Sequence, residues 1–207
     1  MNAQPTSRRP RADGIRSRRA ILDASARLAT IEGLNGLSIG GLADHIGMSK
    51  SGLYAHFTSK EELQLATIQT AAEIFNAEVV ERAAGVPAGR GRVWALAEEF
   101  LAHLERGVFP GGCFFASVAA EVDTRPGPVR DRIFDVIAEW VGALARAVAE
   151  AQAAGEIDPD EDAEQLAFEI DAMLLMANAA YVMEPGPDVL DRGRRGIAKL
   201  IGPAPPR

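Results

Sequence analysis

Cysteine is almost missing from this chain of 207 residues: Cys113 stands alone, so no disulfide can form within the chain. With no signal-like apolar segment near the N-terminus, that scarcity points to a reducing cytoplasm. Aromatic residues make up only 6%, and their scarcity beside abundant alanine tilts the chain toward helix. No uninterrupted apolar run reaches the ~18 residues of a membrane span. The longest candidate, "AMLLMANAAYVM" (172–183), reads as a buried helix, and no membrane partner is expected. The three histidines lie far apart, so no metal-ligand cluster is visible and no metal or other cofactor is expected. A nucleophile elbow, a phosphate loop and a metal motif are all missing. No catalytic residue is therefore nominated, and an enzyme is the weaker alternative. Runs of alternating β-branched residues and internal repeats are absent too.

What is present is apolar bulk. Hydrophobic residues make up 47% of the chain, enough for a sizeable core. Charge is unevenly spread. Residues 1–60 carry nine Lys/Arg against four Asp/Glu, about +5, and residues 61–207 carry thirteen against twenty-five, about -12. A basic head on an acidic body suits a head that meets a polyanion, although arginines can also simply decorate a solvated tail.

Residues 1–14, "MNAQPTSRRPRADG", lack apolar periodicity and read as a disordered basic arm. From Ile15 the spacing turns helical, and Gly33 closes the first helix. Ser38, Ser49 and Ser59 are candidate N-caps for three more helices. Glu62, three residues after Ser59, completes a capping box for the fourth, which runs to about Ala84. "GVPAGRGR" (85–92) makes a boundary loop. Five further helices are predicted at about 92–106, 112–123, 128–154, 160–184 and 187–201. Pro128 and Pro187 suit first turns, and Asp158 and Asp160 an N-cap region. The fold class is all-α with about nine helices: a helix-turn-helix domain at 15–62 and a helical ligand-binding and dimerisation domain at 63–207.

Two short helices joined at Gly47 form a helix-turn-helix, whose second helix enters a DNA major groove. Leu53 and Phe57, four apart, bury one face of that helix, leaving Lys50, Ser51, Gly52, Tyr54 and Ala55 on the other. "ILDASARLATIEGLNGLSIGGLADHIGMSKSGLYAHFTSKEEL" resembles the DNA-binding domain of the TetR family of transcriptional regulators over residues 17–63. "GGCFFASVAAEVDTRPGPVRDRI" (111–133) resembles a ligand-domain segment of some of its subfamilies. The resemblance places Ser49, Lys50, Ser51, Gly52 and Tyr54 at bases or phosphates. It places His56 and Lys60 on the DNA backbone, with Thr58 a weaker neighbour. Arg16, Arg18 and Arg19 are candidates for flanking phosphate or a minor groove. Gly40 and Gly41 depart from helix preference, each costing ~1 kcal/mol relative to alanine.

The resemblance further implies a homodimer reading a near-palindromic operator in double-stranded DNA, and a body that senses a small-molecule effector. Repression at the bacterial nucleoid, relieved by that effector, is the expected function. A ligand-independent DNA-binding protein is the other alternative. Leu166, Ile170, Leu174, Ala177 and Tyr181, with Leu190, Ile197 and Leu200, recur at helical spacing and are the expected dimer interface, or else complete the monomer core. Candidate pocket residues are Trp94, Phe100, His103, Phe114, Phe115, Trp140, Phe168, Asp171, Met173 and Met176, with His103 and Asp171 as polar anchors; for each, plain core is the competing reading. Cys113 reads as a small buried hydrophobe.

Overall fold

A chain so rich in apolar residues three and four apart has little else to form but helices. The computed structural model describes residues 9–122, 124 and 126–205, with the side chains of residues 9–13, 15 and 16 outside that description. Among the described residues there are nine main helices and no strand. They are α1 (Arg9–Glu32), α2 (Ile39–Ile46), α3 (Lys50–Tyr54), α4 (Lys60–Phe75), α5 (Arg90–Glu105), α6 (Phe114–Val122), α7 (Pro128–Ala153), α8 (Ala163–Met183) and α9 (Pro187–Ile201). Helix α4 continues through a π-helical turn, Asn76–Val80, into a last turn, Glu81–Ala83.

The three predicted serine caps form, but Glu62 reaches back to Thr58 rather than to the Ser59 N–H, so the expected capping box is only half made. The hydroxyls of Ser38, Ser49 and Ser59 accept from the backbone N–H groups of Gly41, Gly52 and Glu62. Gly47 takes the left-handed conformation, φ 68°, that turns α2 into α3. Leu34, Leu37, Leu42, Ala43, Leu53, Phe57 and Leu63 bury the centre of the N-terminal unit. Helix α1 crosses α4 through a hydroxyl pair, Ser25 to Thr67 at 2.8 Å.

Three boundaries differ from expectation. Helix α1 begins at Arg9 rather than Ile15, because Pro10 falls in the first turn, where a missing N–H costs nothing. Residues 1–8 of the expected arm lie outside the described residues. Helix α8 is capped by Asp162, which accepts from the N–H groups of Glu164 and Gln165, so it starts later than Asp158 and Asp160 suggested. Helix α4 widens at Asn76–Val80. There the Asn76 amide donates to Glu81 at 2.8 Å, and Arg106 donates to the Glu78 carbonyl at 2.8 Å while pairing with its carboxylate at 3.1 Å.

The body packs α8 between α7, α5 and α9. Of the expected dimer residues, Leu166, Ile170, Leu174, Ala177, Leu190 and Ile197 are buried inside the single chain. Tyr181 and Leu200 pack partly buried against the same core. This stripe is therefore intramolecular: it is the most regular apolar face of α8, and α9 lies against it. Gly193 makes that approach close, since a Cβ there would stand 3.3 Å from the Ala177 methyl. Helix α8 is apolar on its other side as well. By length and composition it is the one helix among the described residues that is long and apolar enough to cross a membrane, although Glu169, Asp171 and Asn178 interrupt its apolar run.

The turn at 109–113 reaches α1 in a similar way. A Cβ on Gly111 would stand 2.0 Å from the Thr30 carbonyl oxygen, while the Gly111 N–H donates to the Thr30 hydroxyl at 3.0 Å. Backbone meets backbone here, so no side chain can give way. Gly111→Ala is expected to destabilise the chain by about 1–3 kcal/mol, the range for overpacking, measured by chemical denaturation; unchanged stability would mean the contact is loose.

Candidate nucleic-acid interface and aromatic cavity

Helix α3 is only five residues long, so its orientation comes from its cap and from Leu53, which is buried in the N-terminal core. That orientation turns Lys50, Ser51 and Tyr54 outward, with Tyr54 58% exposed. Ser49 and Gly52 form the rim: the Ser49 hydroxyl accepts from the Gly52 N–H at 3.1 Å and lies 3.2 Å from the Ser51 hydroxyl. His56 sits half-buried at the edge, its ring 6.4 Å from that of Phe57. These residues share one polar face with a lysine that no carboxylate pairs among the described residues, which is what a polyanion requires.

Neither glycine of α2 has a positive φ, and space is tight only at Gly41. A Cβ on Gly40 would make only ordinary contact with the Lys50 stem, 3.4 Å from Cε. A Cβ on Gly41 would stand 3.0 Å from the Ser38 hydroxyl that caps the helix.

The outlying cations have partners within the chain. Arg18 stacks over the Phe57 ring, 4.7 Å from its centroid, and lies 3.9 Å from the Glu62 carboxylate. Arg19 pairs with Asp23 at 3.1 Å and Glu73 at 2.8 Å along the seam between α1 and α4. The Lys60 ammonium donates to the Asn35 carbonyl. Their helices turn all three toward carboxylates and carbonyls of neighbouring segments, while Arg18 and Arg19 stay 40% and 50% exposed. The Arg16 side chain lies outside the described residues. Glu62 accepts from both the hydroxyl and the N–H of Thr58, and the hydroxyl bond above all holds its carboxyl below the usual range.

A cavity of about 260 Å³ opens among α4, α5, α6, α7 and α8. Phe100, Phe115, Trp140 and Asp171 line it as expected. The Trp140 indole donates to an Asp171 carboxylate oxygen at 2.8 Å, and burial pushes the Asp171 carboxyl up. The other expected residues are elsewhere. Trp94 donates to the Gly202 carbonyl at 3.1 Å and pins the end of α9. Phe114 and His103 are buried behind the wall beside Phe109. Phe168 and Met176 are 63% and 62% exposed, and Met173 borders α9. Helical spacing on α8 shows which residues are apolar but not which side of the helix meets the cavity.

Sequence reasoning missed Phe75, Cys113, Asn178 and a run of alanines, among them Ala116, Ala119 and Ala120. The alanines were the available signal: "ASVAA" thins one face of a helix that otherwise carries bulky residues. Asn178 accepts from the Cys113 N–H at 2.8 Å, and burial pushes the Cys113 thiol up to about 11, so it is protonated and inert.

Helix α6 reaches the head as well as the cavity. Glu121, near its end, accepts from the N–H groups of Leu34 at 3.1 Å and Asn35 at 3.0 Å. Gly33 makes room for it: with φ 80°, a Cβ there would sit 2.7 Å from the carboxylate. Gln64 of α4 donates to the Leu34 carbonyl at 2.9 Å in the same loop.

Behind the wall, neither ring nitrogen of His103 has a hydrogen-bond partner among the described residues. Burial first, and the Arg106 charge second, lower its pKa to about 4. The folded state thus refuses a proton that the unfolded chain accepts below about 6.5. Stability from this group is complete above that pH and declines as pH falls to about 4, by roughly 3 kcal/mol. His103→Phe is expected to flatten that part of the stability profile relative to the parent, as read from denaturation midpoints between those pH values; parallel profiles would contradict it.

The comparisons agree with this architecture. Residues 21–67 match the family model described as "Bacterial regulatory proteins, tetR family". Residues 89–197 match the "Tetracyclin repressor-like, C-terminal domain". The transcriptional regulator AcuR of Cereibacter sphaeroides is 26% identical over 171 residues, 79% of this chain and 76% of that protein. A TetR transcriptional regulator from Chloroflexus aurantiacus superposes with TM-score 0.83 at 29% identity, covering 91% of this chain and 95% of that one. The crystal structure of AibR in complex with isovaleryl coenzyme A and operator DNA superposes with TM-score 0.71 at 26% identity, covering 90% and 98%.

Proposed function

Because the chain belongs to the TetR family of DNA-binding transcriptional regulators, we propose that it is a cytoplasmic repressor released from its operator by a small molecule held in the α4–α8 cavity. The observation that carries this reading is the double use of α6. One face lines the cavity with Phe115, Ala116, Ala119 and Ala120, and Glu121 holds the loop between α1 and α2. A ligand that favours one position of α6 therefore biases the position of the head. Helix α4 gives a second connection, with Leu63 in the head core and Phe75 in the cavity wall. AibR, crystallised with an acyl coenzyme A and operator DNA, is a relative that holds both kinds of partner.

Two heads are needed for a near-palindromic operator. The dimer contact falls on the apolar side of α8 that the chain leaves uncovered. Phe168, Leu175, Met176, Val182 and Met183 are exposed there, Met183 by 77%. This replaces the buried stripe as the candidate, and it accounts for a long apolar helix without a membrane. The chain acts by binding, and no catalytic step is assigned to it.

On the recognition face, Ser49, Lys50, Ser51, Gly52 and Tyr54 contact bases or phosphates, with His56 at the rim. Lys50→Ala is expected to weaken operator binding about 10- to 100-fold, the worth of one good base contact, with the oligomeric state unchanged. Footprinting and sedimentation check this; undiminished protection would remove α3 as the reading element. At the junction, Glu121→Gln weakens two charge-assisted bonds. Hydrogen exchange at the Leu34 and Asn35 amides should accelerate about tenfold or more with little change in global stability; unchanged exchange would show that Glu121 is not holding the loop.

A further inference from the structure

The chemistry of the effector can be read from the cavity wall, an inference that rests on the proposed function above. Four rings form much of that wall, gathered about Phe75. Trp140 meets Phe75 edge-on at 5.2 Å, and Phe100 and Phe115 each stand 6.2 Å from it. Trp140 and Phe100 are stacked at 6.0 Å. Among the described residues, Asp171 is the one charged residue in the lining, and no Lys, Arg or His lines the cavity. Its hydrogen bond from the Trp140 indole comes from a neutral donor and leaves its charge uncancelled.

Each class of ligand meets this wall differently. A carboxylate or phosphate would face Asp171 with no cation to offset the repulsion. A neutral apolar molecule would fill the space and leave a desolvated carboxylate without a counter-charge. An alkylated cation meets ring faces, which attract positive charge, and a carboxylate that completes the pair.

We propose that the cavity takes a small alkylammonium or quaternary ammonium ion, with Asp171 as its counter-charge and Phe75, Phe100, Phe115 and Trp140 as its aromatic cage. The alkyl groups lie on rings, and the positive head lies within reach of the carboxylate. Asp171→Asn keeps an oxygen to accept from the Trp140 indole, so it removes charge while leaving that bond in place.

The test is calorimetric titration of the full chain with three probes. They are hexyltrimethylammonium, its neutral analogue with a tert-butyl group in place of the trimethylammonium head, and hexanoate. The cation should bind about tenfold or more tightly than the neutral analogue, and hexanoate should give no measurable heat. In Asp171→Asn the cation should lose about tenfold while the neutral analogue keeps its affinity. Equal affinity for cation and neutral analogue, tighter binding of hexanoate, or a cation indifferent to Asp171→Asn would each overturn the proposal. The probe series on the unmodified chain decides the matter even if that variant folds poorly. Footprinting on the same preparation separates the two readings. An operator footprint without cation preference refutes the ammonium assignment alone, and cation preference without a footprint refutes the regulatory reading alone.

Discussion

The carboxylate of Glu121 is the contact on which the arrangement of this molecule turns. It reaches from α6 to two backbone N–H groups just past the end of α1, a place where helix-end dipoles offer carbonyls rather than donors. The donors are available only because Gly33 turns left-handed and exposes the next two amides. Helix α6 is short and carries the alanine face of the cavity, so the same nine residues serve both ends of the protein. Lys60 and Gln64 of α4 hold carbonyls of the same loop. Head and body thus share one small polar knot, surrounded by apolar packing that has no directional preference of its own.

The head was legible in the sequence because its determinants are local. A serine before each short helix, a glycine at the turn and a leucine or phenylalanine four apart fix α2 and α3 without reference to distant residues. Gly41 lies tight against the Ser38 hydroxyl, which its place in the sequence does not show, whereas Gly40 has only ordinary contact with Lys50. The exposed cations were less legible. Arg18, Arg19 and Lys60 carry the right charge for DNA, but their partners Glu62, Glu73 and Asn35 are set by how α1 crosses α4, which spacing alone does not determine.

The body was legible as helices and opaque as surfaces. Helix α8 shows why: apolar residues surround it, so a search for the best three- and four-residue stripe finds the face that its own neighbours bury. The uncovered side, at Phe168, Met176 and Met183, obeys the same periodicity with a different phase. The cavity posed the opposite difficulty. Its wall combines residues from five helices, and part of what defines it is the small size of alanines, which carry no chemical signal when read singly.

One feature of that wall has an optical consequence. The protein holds two tryptophans. The Trp94 indole is tied to the Gly202 carbonyl at the end of α9, away from the wall, whereas Trp140 lies on the wall with its N–H on a carboxylate. Indole emission depends on the charge and polarity around the ring. The chain therefore carries an intrinsic fluorophore whose colour and yield record what shares the cavity with it, and a second that serves as its internal reference.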